Sequence, residues 1–428
     1  MESKRVEDAH KSLVLIDTSV DTFYRAIRPI MMFGQLFSLF PVSGLWKKDS
    51  DKVRFRWVSL RTIYFFYVAL FQVMSIGLAM RRLFRLGLGF ATFAAVFFYI
   101  VTLYGGLIVF RLGQRWPTLV RRIERTERIF IHTPYRQVGW PMHLRIRVVS
   151  FALILGAIAE HLLYIFAKYI NAETQLQVCN LNIPTYEHFL RTERRHIYSV
   201  IPYQATLAII IEWANICTTI YWSYFDIIVT MFSLSIAYRM RQLSDRMRRV
   251  RFKAMPDAFW IEIRVHFTDL TNLLEFLDKK LSNLIILVCG SNLYFICQQL
   301  FNSFSVPPEK LNNVYFWCSL LYVIVRALTM LFCAASINEA AKEPYQLLKA
   351  LPYTSWSVEI QRFSDQLISE VIGFSGKRFF FITRKLILAL IGTIVTYELV
   401  LLDHVAEAPE IVQKSCRIAY IAESNMTA

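Results

Sequence analysis

Acidic, amide and aromatic side chains recur inside the long apolar runs of this 428-residue chain, where each is costly to bury without a reason. One run carries Glu160, His161 and Tyr164, and another carries Glu212, Trp213 and Asn215 with Tyr221 and Trp222 farther along. Later runs add Gln298, Gln299 and Asn302, then Tyr315 and Trp317. Carboxylates and amides exchange several hydrogen bonds with hydroxyls, while the apolar faces of a sugar ring pack on Trp or Tyr. The combination suits a neutral polyhydroxylated ligand, for which the candidate residues are Glu160, His161, Glu212, Trp213, Asn215, Trp222, Gln298, Tyr315 and Trp317. Plainer roles compete with this one. Tyr164, Tyr315 and Trp317 also suit a membrane-interface belt, and His161 suits a hydrogen bond between helices. Asp226 and Arg326 lie nearer the inner half and are expected to pair with each other.

The last apolar run offers different chemistry. Gly392, Thr396, Leu399 and Asp403 follow steps of four, three and four, which on a helix form one stripe. Small, hydroxyl and acidic groups in such a stripe suit a surface that faces water. No CxxC pair, HExxH or Walker loop is present, and no nucleophile, base and orienting group cluster in sequence, so neither an enzyme nor a cofactor is expected.

These side chains need elements to hold them. The chain is 55% hydrophobic and 15% aromatic, with a mean hydropathy of +0.39, which points to an all-α integral membrane protein. Seven spans are predicted, near Thr62 to Met80, Gly87 to Phe110, Val148 to Ala167, Ala205 to Ala237, Asn283 to Phe304, Asn313 to Ser336 and Leu386 to Leu402. The fourth is longer than a bilayer needs and is expected to tilt or to continue past the membrane.

Charge sets the expected direction. Lys and Arg total 37 in the stretch to Arg61 and in the segments Arg111 to Arg147, Tyr238 to Ser282 and Asn338 to Lys385, against 10 in the alternate segments. The amino terminus is therefore expected in the cytoplasm and the carboxyl terminus outside, the reverse of a G-protein-coupled receptor. The net charge of +16 is then a topology signal rather than a nucleic-acid footprint. The sequon Asn425-Met426-Thr427 falls on the outer side, as do Cys179 and Cys416. The basic stretch Arg239 to Lys253 suits contact with anionic membrane lipid.

The expected domains are a cytoplasmic segment over 1–61, a seven-helix unit over 62–402 and an extracellular tail over 403–428. Cytoplasmic helices are expected within 238–282 and 338–385. Phe267, Leu270, Leu274, Leu277 and Leu281 step by three and four, as in a helix packed on another. That helix either extends the fifth span or belongs to an assembly domain shared between subunits. Pro256 marks the expected junction between the two helical patterns.

The residues Thr396-Tyr397-Glu398-Leu399-Val400-Leu401-Leu402 resemble the carboxyl-terminal signature of the insect gustatory and odorant receptor superfamily, Thr-Tyr followed by five hydrophobic residues, Gln and Phe. Glu398 after the Tyr is similar to the sugar-taste branch of the gustatory receptors, as are Phe40-Pro41-Val42-Ser43-Gly44-Leu45 and Phe55-Arg56-Trp57-Val58-Ser59-Leu60-Arg61. The resemblance implies a ligand-gated cation channel of the plasma membrane, a homo- or heterotetramer in which the last helix lines a central pore. It implies a mono- or disaccharide ligand in an outward-facing pocket within each subunit. It also places Thr396 and Leu399 on the pore face, Val400 at the hydrophobic constriction, Asp403 near the outer mouth and Tyr397 facing spans five and six as a coupling residue.

Asp403-His404 stands where the family has Gln-Phe, and 24 residues follow. Four carboxylates in a ring would attract cations more strongly than four amides. An alternative exon after Leu402 explains the departure equally well. A subunit that works only with a partner is a further reading, and so is a secondary transporter, although spans two to seven contain neither proline nor a convincing internal repeat.

Overall fold

A computed structural model of the chain describes residues 21–47, 49–87, 89–179, 182–303, 310–352, 355–369 and 371–402, without the side chains of 86, 90, 91, 310 and 398–402. Six helices in it are long and apolar enough to cross a membrane. They are α2 (Leu60–Leu86), α3 (Phe90–Gln114), α5 (Met142–Val178), α8 (Ala205–Arg248), α9 (Asp257–Ser303) and α10 (Lys310–Lys349). Shorter helices join them: α1 (Phe23–Leu36), α4 (Trp116–Ile131), α6 (Thr185–Glu193), α7 (Arg195–Tyr198) and α11 (Val358–Ser369). The last predicted span forms α12 (Arg384–Leu402), a helix of 19 residues.

The helices run well past the predicted spans. The 44 residues of α8 make a rod of about 66 Å, roughly twice the apolar thickness of a bilayer. Pro256 separates α8 from α9 as expected, since a proline ring cannot sit inside a continuous helix without losing a backbone bond. Two short helices, α6 and α7, had no counterpart in the hydropathy pattern. Neither had the short antiparallel hairpin that pairs Val42 with Phe55 and Ser43 with Arg54. Gly44 turns that hairpin at a φ of 94°, where a side chain would also strike the Lys52 carbonyl.

The core is built around α8. Every residue from Ser223 to Met240 is buried, because α10, α5, α9 and α3 surround the helix. Gly105 and Gly106 let α3 approach closely; a Cβ at either position would overlap the rings of Phe225 and Tyr221 respectively. Near the carboxyl end of α8, Glu127 of α4 accepts from Arg239 of α8 at 2.9 Å and from the Phe23 backbone at 3.0 Å, which ties α1 down. The stripe Phe267, Leu270, Leu274, Leu277 and Leu281 is wholly buried within the chain. It therefore serves packing within the chain.

The segment 371–383 between α11 and α12 is a folded turn rather than a helix. Ser375 donates from its backbone N and its hydroxyl to the Asp278 carboxylate, both at 2.6 Å. Burial raises the Asp278 pKa, and those two bonds oppose the shift. Among the cysteines, Cys217, Cys289, Cys318 and Cys333 are free thiols, while Cys416 and the sequon lie outside the described residues.

Candidate ligand site and pore helix

Glu160 sits on α5 where α10 crosses it. Its Oε1 accepts from the Ser319 hydroxyl at 2.8 Å and from the Tyr315 hydroxyl at 3.4 Å. Ser319 in turn receives the side-chain amide of Gln299 on α9 at 3.2 Å. The remaining amide oxygen of Gln299 is buried without a protein partner. Three helices thus bring a carboxylate, two hydroxyls and an amide together, with an acceptor left open to a ligand donor.

Aromatic rings flank this group. His161 stacks on Tyr164 at 5.9 Å, and Tyr164 meets Tyr315 at 5.6 Å. The Tyr164 hydroxyl donates to Glu193 at the end of α6. Next to it, Arg194 holds Glu212 of α8 in a two-pronged ion pair at 2.9 and 3.2 Å. Glu212 is thus matched by Arg194 and ties α8 to the segment between α6 and α7.

Not every candidate converges. Trp213 is 44% exposed, donates its ring N–H to Tyr64 and lies parallel to Phe37, away from Glu160. Trp317 is 53% exposed, with Phe316 as its ring neighbour. Asn215 is buried between α8 and α3, where it accepts from Tyr99 at 3.5 Å. Gln298 is half-buried, and its neighbour Gln299 is the amide that reaches Ser319. Glu193, Arg194, Ser319 and Tyr322 were missed. Tyr315, Ser319, Tyr322 and Arg326 step by four, three and four, a polar stripe that helical periodicity reveals once Arg326 is taken as its end.

Below the carboxylate lies a buried ionic floor. Arg326 pairs with Asp226 at 3.0 Å, and it donates to Ser223 at 2.8 Å and to Asn292 at 3.0 Å. Asn292 donates to Asp226 at 2.7 Å, closing the ring of contacts expected from the sequence pair. Arg326 also stands 4.0 Å from the centre of the Trp222 ring, whose N–H is buried without a protein partner. Trp222 therefore belongs to the floor.

The floor reaches α12 through apolar contact. Trp222 and Ile394 pack against one cluster formed by Ile296, Val323 and Ala327. Only one face of α12 is held, by Ile387, Leu390 and Ile394, while Leu388, Ile391, Val395 and Thr396 are exposed. Thr396 donates to the Gly392 carbonyl at 2.9 Å, and Tyr397 lies in the field of Tyr294 on α9. Leu399 and Val400 are within α12, their side chains outside the description, and Asp403 lies outside the described residues.

The family model described as trehalose receptor matches residues 11–416. The chain belongs to that family. It is 34% identical over 385 residues to the gustatory receptor for sugar taste 64b of Drosophila melanogaster, covering 90% of this chain and 95% of that protein. It is 30% identical over 386 residues to gustatory receptor 5a for trehalose of Drosophila melanogaster, covering 89% of this chain and 85% of that protein. The fold is similar to the insect olfactory receptor OR5 from Machilis hrabei in complex with eugenol, with a TM-score of 0.62 at 14% identity over 89% of this chain and 98% of that one. This family member thus has gustatory receptors named for sugar taste and trehalose among its relatives, several apolar helices and the fold of the insect olfactory receptors.

Proposed function

We propose that the chain is a sugar-gated, non-selective cation channel subunit of the taste-neuron plasma membrane, assembled as a homo- or heterotetramer. The observation that carries this is the group Glu160, Ser319, Tyr315 and Gln299, in a chain of the sugar-taste family. Its acceptors and hydroxyls match a mono- or disaccharide, and Tyr164 and Tyr315 offer ring faces for the C–H surface. The charge asymmetry supports seven crossings with the amino terminus inside and the carboxyl terminus outside.

Sugar in the group would replace the bonds among these side chains and bear on the Arg326 floor. The floor contacts the cluster that holds Ile394, so displacement there shifts α12. With its exposed face turned to a central axis, α12 would line the pore through Thr396, Leu399, Val400 and Asp403, with Tyr397 against α9 as the coupling residue.

Expression in a cell line, with a panel of mono- and disaccharides and recording of current or calcium, tests the proposal. Sugar-dependent cation entry is the expected result. Silence to every sugar with the protein verified at the surface, alone and with related receptors, rejects it.

A further inference from the structure

Seven basic side chains line one groove. It starts at the inner end of α3 and runs between α4 and α9 as two adjoining cavities of about 460 and 500 Å³ that share Thr118. Arg111, Arg115, Lys279 and Lys280 surround the first, over an apolar floor that includes Leu112 and Phe276. Arg121, Arg122 and Arg125 line the second, where Asp269 is the one carboxylate in the lining. Some arginines outside the groove are matched, as Arg239 is with Glu127, Arg246 with Glu262 and Arg264 with Glu359. Within the groove Lys279 has Glu275 at 3.1 Å. Arg122 and Lys280 both lie over the Phe276 ring, at 4.4 and 5.8 Å, so two cations share one aromatic partner. The basic side chains of the lining outnumber the carboxylates beside them, and their summed field favours an anion.

We propose that this groove binds a multiply phosphorylated anion, presented as the headgroup of a phosphatidylinositol bisphosphate in the inner leaflet. Guanidinium forks match phosphate oxygens in pairs, and the lysines add point charges. The apolar floor lies where α3 leaves its span at Arg111 and where the apolar run of α9 begins at Asn283, which suits the glycerol and first acyl carbons of a lipid. A soluble phosphate has no use for that floor. The assignment rests on the orientation proposed above and not on sugar gating.

The test uses the full chain in phosphatidylcholine nanodiscs with a fluorescent phosphatidylinositol bisphosphate, read by anisotropy. Saturable binding is expected, weakened about tenfold or more in the triple variant R115Q/R121Q/R125Q, since each lost charge-assisted bond counts. The matching triple change to lysine should retain most of the binding, which separates loss of charge from misfolding. A control, R248Q/R251Q, should bind as the parent does. Equal binding by the glutamine variant, or equal competition by phosphatidylserine, would overturn the site. Equal competition by soluble inositol trisphosphate would overturn the lipid source. An amino-terminal tag labelled from outside intact cells would overturn the orientation, and sugar responses do not enter the measurement.

Discussion

In the proposed site Glu160 would bind sugar through a replaceable contact, whereas Arg326 makes a structural one with Asp226. Glu160→Gln keeps the shape of the side chain but removes its charge, so hydrogen bonds to a sugar hydroxyl should weaken by about 1.5 kcal/mol or more. A rightward shift of roughly tenfold in half-maximal sugar concentration follows, with surface expression unchanged. Arg326→Met instead strands Asp226 in a fully buried setting, at a cost of about 3–5 kcal/mol. Surface delivery should collapse, and Asp226→Leu combined with Arg326→Met should restore it, as quantified by cell-surface biotinylation. The Asp226–Arg326 pair was legible in the sequence because two opposite charges in apolar runs have few alternatives. The role of Glu212 was not, since Arg194 lies in an outer connection whose path hydropathy does not reveal. Trp213 and Trp317 show the same limit: residue type says that a ring suits a sugar, but only helix rotation decides which way it faces.

Helix contacts carry the next set of consequences. Gly105→Val would place a side chain inside the Phe225 ring and push α3 off α8, costing about 1–3 kcal/mol or more, while Gly77→Ala meets nothing within 4 Å and should be silent. Detergent melting temperatures distinguish the two. Tyr135, in the connection after α4, bonds His266 of α9 at 2.7 Å, and burial lowers the His266 pKa from its usual 6.5. Glu262 and Asp269 oppose that shift and Arg246 adds to it. Because the fold favours the neutral ring, stability is full above the unfolded value of 6.5 and falls as pH drops through the lower folded value. Melting curves across that range should show the decline, and His266→Gln should flatten it. Long apolar stretches and the Pro256 break predicted most of these elements. The hairpin at Val42 and the folded turn before α12 escaped, since each depends on pairing with residues distant in sequence.

In the proposed orientation the Glu160 group lies towards the outside and the basic groove towards the cytoplasm, which gives the chain one direction in its membrane. Antibody to a tag at the amino terminus should stain only permeabilised cells, whereas a tag in the connection between α5 and α6 should stain intact ones. The reverse pattern would remove the channel topology. Assembly is expected to use the exposed face of α12, so cysteines placed at Val395 should cross-link copies of the chain under oxidation. The burial of α8 bears on how the chain is made. From Ser223 to Met240 it offers lipid no face, and Asp226 finds its arginine only on α10, which emerges from the ribosome much later. An α8 waiting in the bilayer holds an unmet carboxylate, so it must be sheltered until α9 and α10 arrive. Biogenesis therefore has a built-in checkpoint: chains that stop before α10 have nothing to neutralise Asp226 and are the ones that quality control should retain and degrade.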